Sequence, residues 1–287
     1  MNMKKLTFPI FLSIILVGVA HAVPVIDSRE YKILLKPELF TDNVEQAKNQ
    51  SDKFLADVNN ELKKQGIIAT IDKTFEEDKI REISFYDTPG TCVLKYENYV
   101  ARERINRKNN KRELMIKFRT DDINKLDGIA FKGRHPKSSS KTEADVSPGN
   151  IVYSVSTKQT IRTEKIDSID VIEKLFPGLN KNFKQDGILA KVSGLSVIDY
   201  SYEGPELILD EEPFNFELSI WYVNDETKPA IVELSYTIKE SAGNFSPKTL
   251  KNAEFIMNMI AGMEQWAASS SMMKTAWVYQ YQPDFCK

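Results

Sequence analysis

The chain has 287 residues, 41 Asp and Glu against 39 Lys and Arg, a formal charge of −2, and two cysteines. That length holds one large domain or two small ones with a substantial core. The mild acidity argues against a general nucleic-acid binder, which is basic overall.

Residues 1–22 read as a secretory signal. Lys4 and Lys5 form the positive start, Leu6 to Val19 is a mostly apolar run too short for a comfortable membrane span, and Ala20-His21-Ala22 is a small-x-small cleavage pattern. A membrane anchor is the alternative. Cleavage after Ala22 leaves 265 residues with charge −4 and predicts a secreted or periplasmic protein that no longer associates with membrane. It also removes His21, leaving His135 as the only histidine, which argues against a Cys/His zinc site and against Ser-His-Asp or Cys-His catalysis. In an oxidising compartment Cys92 and Cys286 suggest one disulfide; two free thiols are the alternative. Asn49-Gln50-Ser51 and Asn244-Phe245-Ser246 are glycosylation acceptors only on a eukaryotic secretory route.

Asp27 to Lys36 alternates as a strand, with Tyr31, Ile33 and Leu35 on one side and Ser28, Glu30 and Lys32 on the other. Thr41-Asp42 is placed to cap a helix running to about Lys64, ended by Gln65-Gly66. Ile67 to Ile71 and Lys79 to Tyr86 are short strands. The Thr88-Pro89-Gly90 turn leads to two strands joined by the polar loop Asn106 to Lys111. In those strands Arg102 and Arg104 share a face, as do Lys117 and Arg119, while Leu114, Ile116 and Phe118 form an apolar opposite face.

Gly133 to Asn150, rich in Ser, Lys and Pro, reads as a flexible loop between two halves of the chain. Ile151 to Lys165 returns to strand-like alternation. Ser168 to Leu175 is a short helix stopped by Pro177-Gly178. Gly187 to Tyr202 and Glu206 to Asp210 suit strands, and Phe214 to Val223 with Ala230 to Lys239 form a hairpin. Ser246-Pro247 opens a helix to about Trp266, and Thr275 to Tyr281 is strand-like.

These elements make an α+β protein, mainly antiparallel β, whose strands have one apolar and one charged face. A barrel with a polar lumen and helices packed outside meets that requirement. A lipocalin-like barrel is the alternative, but its lumen should be apolar. Two cations about 7 Å apart at an effective dielectric near 20 cost each other about 2 kcal/mol. A polyvalent anion, a phosphate chain above all, turns that cost into binding energy.

In order, the motifs resemble those of the CYTH domain, the triphosphate tunnel metalloenzyme superfamily. The E-x-E-x-K strand matches Ser28-Arg29-Glu30-Tyr31-Lys32 with the first Glu replaced. The Y-x-D-T turn matches Phe85 to Thr88, with Leu94 following. R-x-R matches Arg102 and Arg104, and the strand ending in Lys matches Leu114 to Lys117. R-x-E is similar to Arg162-Thr163-Glu164, and K-x-R to Lys191-Val192-Ser193 without the Arg. The late E-x-E keeps only Glu233.

The resemblance spans about Asp27 to Trp277 and makes 23–287 one CYTH-like tunnel domain, an eight-stranded closed β-barrel. It implies that Arg102, Arg104, Lys117, Arg162 and Lys191 grip a triphosphate, with Arg119 beside Lys117. Lys32 contacts a phosphate or the attacking water, and Arg104 stabilises the transferred group. Glu30 and Glu233 hold Mg²⁺ or Mn²⁺, and Glu217 is a candidate for a missing acid. The expected activity is metal-dependent hydrolysis of a nucleoside triphosphate or tripolyphosphate outside the cytoplasm. A non-catalytic binder of polyphosphate or a phosphorylated small molecule is the alternative, and adenylyl cyclase is disfavoured by export.

Overall fold

The protein is described here by a computed structural model, for residues 24–40, 44–71, 74–179, 187–223, 227–239, 244–269 and 272–287. The expected secretory signal and the expected Thr41-Asp42 cap lie outside those residues. Among the described residues no helix is long and apolar enough to cross a membrane.

Alternation along the strands sets the architecture. The strands are β1 (Ser28–Leu35), β2 (Ala69–Ile71), β3 (Glu76–Asp87), β4 (Tyr99–Asn106), β5 (Arg112–Thr120), β6 (Ser139–Ser147), β7 (Asn150–Ile161), β8 (Ala190–Lys191), β9 (Val197–Leu209), β10 (Glu212–Val223) and β11 (Ile231–Lys239). The helices are α1 (Val44–Lys64), α2 (Val93–Tyr96), α3 (Ile169–Leu175), α4 (Pro247–Ala261) and α5 (Lys274–Tyr281). The sheet order is β9-β10-β11-β1-β6-β7-β5-β4-β3, and β3 pairs again with β9, so nine strands ring round. The short β2 and β8 attach to β9 and β3.

The expected strand number, eight, falls one short of that ring. The extra member is β6, which lies in the stretch read as a flexible loop. A ring with an odd number of strands cannot be antiparallel throughout, and the one parallel pair in it is β1 with β6. β6 escapes notice because neither face is strongly apolar: Ser139, Lys141, Glu143 and Asp145 point inward, against Thr142, Ala144 and Val146 on the other face.

The outward face carries the main core. Tyr31 of β1 stacks on Tyr236 of β11 at 5.1 Å, and the Tyr236 hydroxyl donates to the Ala253 carbonyl of α4 at 2.6 Å. Trp266 sits between Phe40 and Phe54, at 6.2 and 5.4 Å, and donates its ring N–H to Asp57. Burying each such side chain contributes on the order of 2 kcal/mol. Helix caps follow the sequence: Ser168 accepts from the Val171 N–H, and Ser246 from the Thr249 N–H with Pro247 next in line.

A second core closes one end of the ring, where Ile83, Phe85 and Trp221 pack with Val278 and Tyr279 of α5. Thr275 to Tyr281 is therefore a helix and not the expected strand. Tertiary packing overrides the β propensity of Trp, Val and Tyr here, and Trp277 meets Tyr281 one helical turn on, at 5.4 Å. The Tyr279 hydroxyl donates to Asp87 at 2.7 Å; Asp87 also accepts the N–H groups of Thr88, Leu94 and Lys95. The suggested disulfide is present, Cys92 to Cys286, across a separation of 194 residues.

Joining residues so far apart restricts the unfolded chain by up to about 5 kcal/mol in the chain-entropy picture. Replacing both cysteines with serine is expected to lower the unfolding free energy in urea by about 2–5 kcal/mol. An unchanged midpoint would mean that the bond leaves the α5 end of the ring no more stable.

Candidate functional site: a cationic tunnel

Inward-pointing side chains of the ring enclose a cavity of about 640 Å³. Eleven lysines and arginines line it against seven acids, and Asp145 beside them makes eight, so cations outnumber acids. Every second residue of β1, β4 and β5 contributes, as alternation requires: Ser28, Glu30 and Lys32, then Arg102 and Arg104, then Met115, Lys117 and Arg119. Glu217 and Glu233 line the same space from β10 and β11.

The organising acid is Asp145, whose side chain is 0% exposed. It accepts from Lys32 Nζ at 2.7 Å and Lys117 Nζ at 3.0 Å, and lies 3.7 Å from Arg119 Nη2. Burial would raise its pKa, but Lys117, Lys32 and Arg119 outweigh burial and hold the carboxyl well below the usual range. The register puts Glu30 directly beside Asp145 on the parallel pair, and the Lys32 ammonium bridges both, 2.9 Å from Glu30. Burial disfavours the Lys32 charge; Glu30 and Asp145 more than compensate, and its pKa rises above that of an ordinary lysine. Lys117 is lowered by burial, with Asp145 opposing.

Arg102 and Arg104 differ. Among the described residues neither has an ion-pair partner within 4 Å, and the Nε of each is buried without a hydrogen bond. Across the strand from Arg102 stands the thioether of Met115, 3.3 Å from Nη2, where an acid would be the usual partner. Burial first, then repulsion from Arg104 and Arg119, pushes Arg102 down to about 9; burial and Arg81 lower Arg104. Both are short of anionic partners.

Two expected contacts fall outside the cavity. β7 ends at Ile161, and Arg162 just beyond it is exposed, its carbonyl accepting from Arg112 and its N–H donating to Glu164. Lys191 lies on the outer side of β3, bonded to Ser196 at 2.7 Å and 3.5 Å from Glu82. Glu82 is out of phase with Lys79, Arg81, Ile83 and Phe85, which face inward.

The sequence reading missed Arg81, Asp199 and Lys274 as well as Asp145. Lys79 and Arg81 repeat the two-apart cation spacing and were detectable by it. Arg81 Nη1 lies 3.6 Å from Asp199, and Asp199 accepts from Ser219 at 2.5 Å.

No family model matches the chain, and no curated protein matches it in sequence. Solved structures similar to it include HpAC1 from Hippeastrum, named for adenylyl cyclase and described with a dominant triphosphatase activity. That likeness has 14% identity, covers 90% of this chain and 97% of that one, and has a TM-score of 0.43. A Bacillus halodurans protein named for adenylate cyclase shares 10% identity over 88% of this chain and 96% of its own, at a TM-score of 0.40. The PH1819 protein of Pyrococcus horikoshii OT3 shares 13% identity over 88% and 100%, at 0.36. What is proposed for the cavity rests on this chain's own side chains.

The expected Mg²⁺ or Mn²⁺ does not fit the pair Glu30 and Glu233. Glu30 is opposite Thr237 and Glu233 opposite Leu34, so four residues of strand, roughly 13 Å, separate them along the sheet. That is a backbone separation, which one small ion with ligand distances near 2.1 Å would bridge only with both side chains extended toward each other. Each carboxylate is also held by a lysine, Glu30 by Lys32 and Glu233 by Lys274. Among the described residues no group of three or more His, Cys, Asp or Glu is arranged to hold a metal.

Asp145→Asn leaves Lys32, Lys117 and Arg119 without their shared anion, and breaking a buried pair costs about 3–5 kcal/mol. Because folding depresses the Asp145 pKa, its contribution is complete above the unfolded carboxyl value of about 3.9 and is lost as pH falls through the folded value. Urea unfolding should show the variant about 3 kcal/mol less stable at pH 7, with the gap narrowing toward pH 2. Equal stability at pH 7 would remove Asp145 from this role.

Proposed function

We propose that the tunnel binds a linear phosphoanhydride chain, either tripolyphosphate or the triphosphate of a small organic molecule. One observation carries this reading: Arg102 and Arg104 project into the cavity of the ring without carboxylate partners. Arginine's planar fork takes phosphate oxygens in pairs, and such charge-assisted bonds are stronger where water is scarce. Lys117 and Arg119 supply further charge from the adjacent strand, β5. Asp145 keeps those two and Lys32 in place when no anion is bound. The resemblance of the β1, β4 and β5 motifs to triphosphate-gripping strands supports the same ligand class.

Hydrolysis of the bound chain is a second reading. It is favoured by Glu30, Lys32 and Glu233 sharing the lumen with both arginines. Its metal-dependent form lacks a fitting donor pair, and binding without turnover needs none. Export after Ala22 belongs to the proposal too, supported by the residues of 1–22 and by the Cys92–Cys286 disulfide, a bond typical of oxidising compartments.

Calorimetry with tripolyphosphate and a phosphate-release assay on the same sample test both readings. The wild type should bind, and Arg104→Ala or Arg102→Ala should weaken binding by about tenfold or more, the scale of one lost charged contact. Unchanged affinity in both variants would take the arginines out of the site. Release of phosphate that requires Mg²⁺ or Mn²⁺ would favour the hydrolase.

A further inference from the structure

Lys274 is the first residue of α5, the helix packed across one end of the ring. Its ammonium reaches back into the cavity, 3.0 Å from Glu233 Oε1, and donates to Ser219 Oγ at 2.6 Å. It also lies 4.9 Å from the centre of the Trp221 ring, a cation–π contact. Thr275, next along α5, accepts from Arg119 Nη1 at 3.0 Å. The helix is fixed behind these contacts by the Tyr279–Asp87 hydrogen bond and the Cys92–Cys286 disulfide. Lys274 is thus set in place by packing and is not a free surface side chain.

We infer that Lys274 is a built-in cation that stands where a divalent metal would otherwise be recruited by Glu233, making anion binding in the tunnel independent of metal. This deepens, and rests on, the polyphosphate reading. An uncompensated Glu233 carboxylate would repel a phosphate chain held by Arg102 and Arg104. Either a metal ion or an ammonium can cancel it. Lys274 does so from within the chain, as Lys32 does for Glu30. The Ser219 bond, the Trp221 face and the anchored helix hold Lys274 in that position at little further entropic cost.

The test is calorimetry of tripolyphosphate with the full chain, in EDTA and with excess Mg²⁺. The wild type is expected to bind in EDTA and to gain no affinity from Mg²⁺. Lys274→Met should bind about tenfold more weakly in EDTA and recover with Mg²⁺, because the freed Glu233 can then meet a metal-bound phosphate. Lys274→Met combined with Glu233→Gln should show no such recovery. Lys274→Arg, which keeps the charge, should stay metal-independent and serves as the folding control. Wild-type binding that appears only with Mg²⁺, or Lys274→Met equal to the wild type in EDTA, overturns the inference and leaves the polyphosphate reading standing. No wild-type binding in either condition overturns both.

Discussion

The interior of the ring depends on the buried carboxylate of Asp145. Lys32 from β1 and Lys117 and Arg119 from β5 are largely withdrawn from water and would repel one another there, since interactions between charges are strengthened by burial. Asp145 meets all three from β6. Its position follows from topology. The parallel β1–β6 pair, required by the odd strand number, brings Asp145 beside Glu30 and within reach of Lys32 on β1 and of Lys117 and Arg119 on β5, one strand beyond β7. One acid therefore links chain closure, charge balance and the orientation of the cationic wall.

With Lys32 and Lys117 hydrogen-bonded to Asp145 and Arg119 in ion-pair range of it, the two arginines of β4 stand in the cavity without an ion-pair partner of their own among the described residues. This partition is the basis of the proposed anion site. Ion pairs fix the scaffold on the β1, β5 and β6 side, while Arg102 and Arg104 face the cavity with buried, unpaired nitrogens. The acids that a metal would need are engaged by lysines, one from the adjoining strand position and one from α5. Positive charge in this tunnel comes from the polypeptide.

Much of this was legible in the sequence wherever one face of a strand was apolar. The inward set of β1, the paired arginines of β4 and the Lys117-x-Arg119 spacing of β5 all lie where alternation put them, as does Glu233. The disulfide followed from the cysteine count together with the expected export to an oxidising compartment. Legibility failed where the periodicity itself was weak or ambiguous. β6 has small or polar residues on both faces, so its strand character comes from pairing on both sides and not from a hydrophobic stripe. With β6 unread, Asp145 was invisible. α5 has strand-favouring aromatic residues and becomes a helix through packing against Trp221 and Asp87, which concealed Lys274. Arg162 and Lys191 were placed by short motif likeness alone, and strand end and strand phase put them outside.

The central claim is that Arg102 and Arg104 hold a phosphate chain inside the ring. A crystal structure of the wild-type protein grown with tripolyphosphate in EDTA tests it most directly. The account predicts a linear anion in the lumen with phosphate oxygens on both guanidinium groups, and the Lys274–Glu233 pair intact beside it. An empty lumen with the two arginines turned outward into bulk water would contradict it.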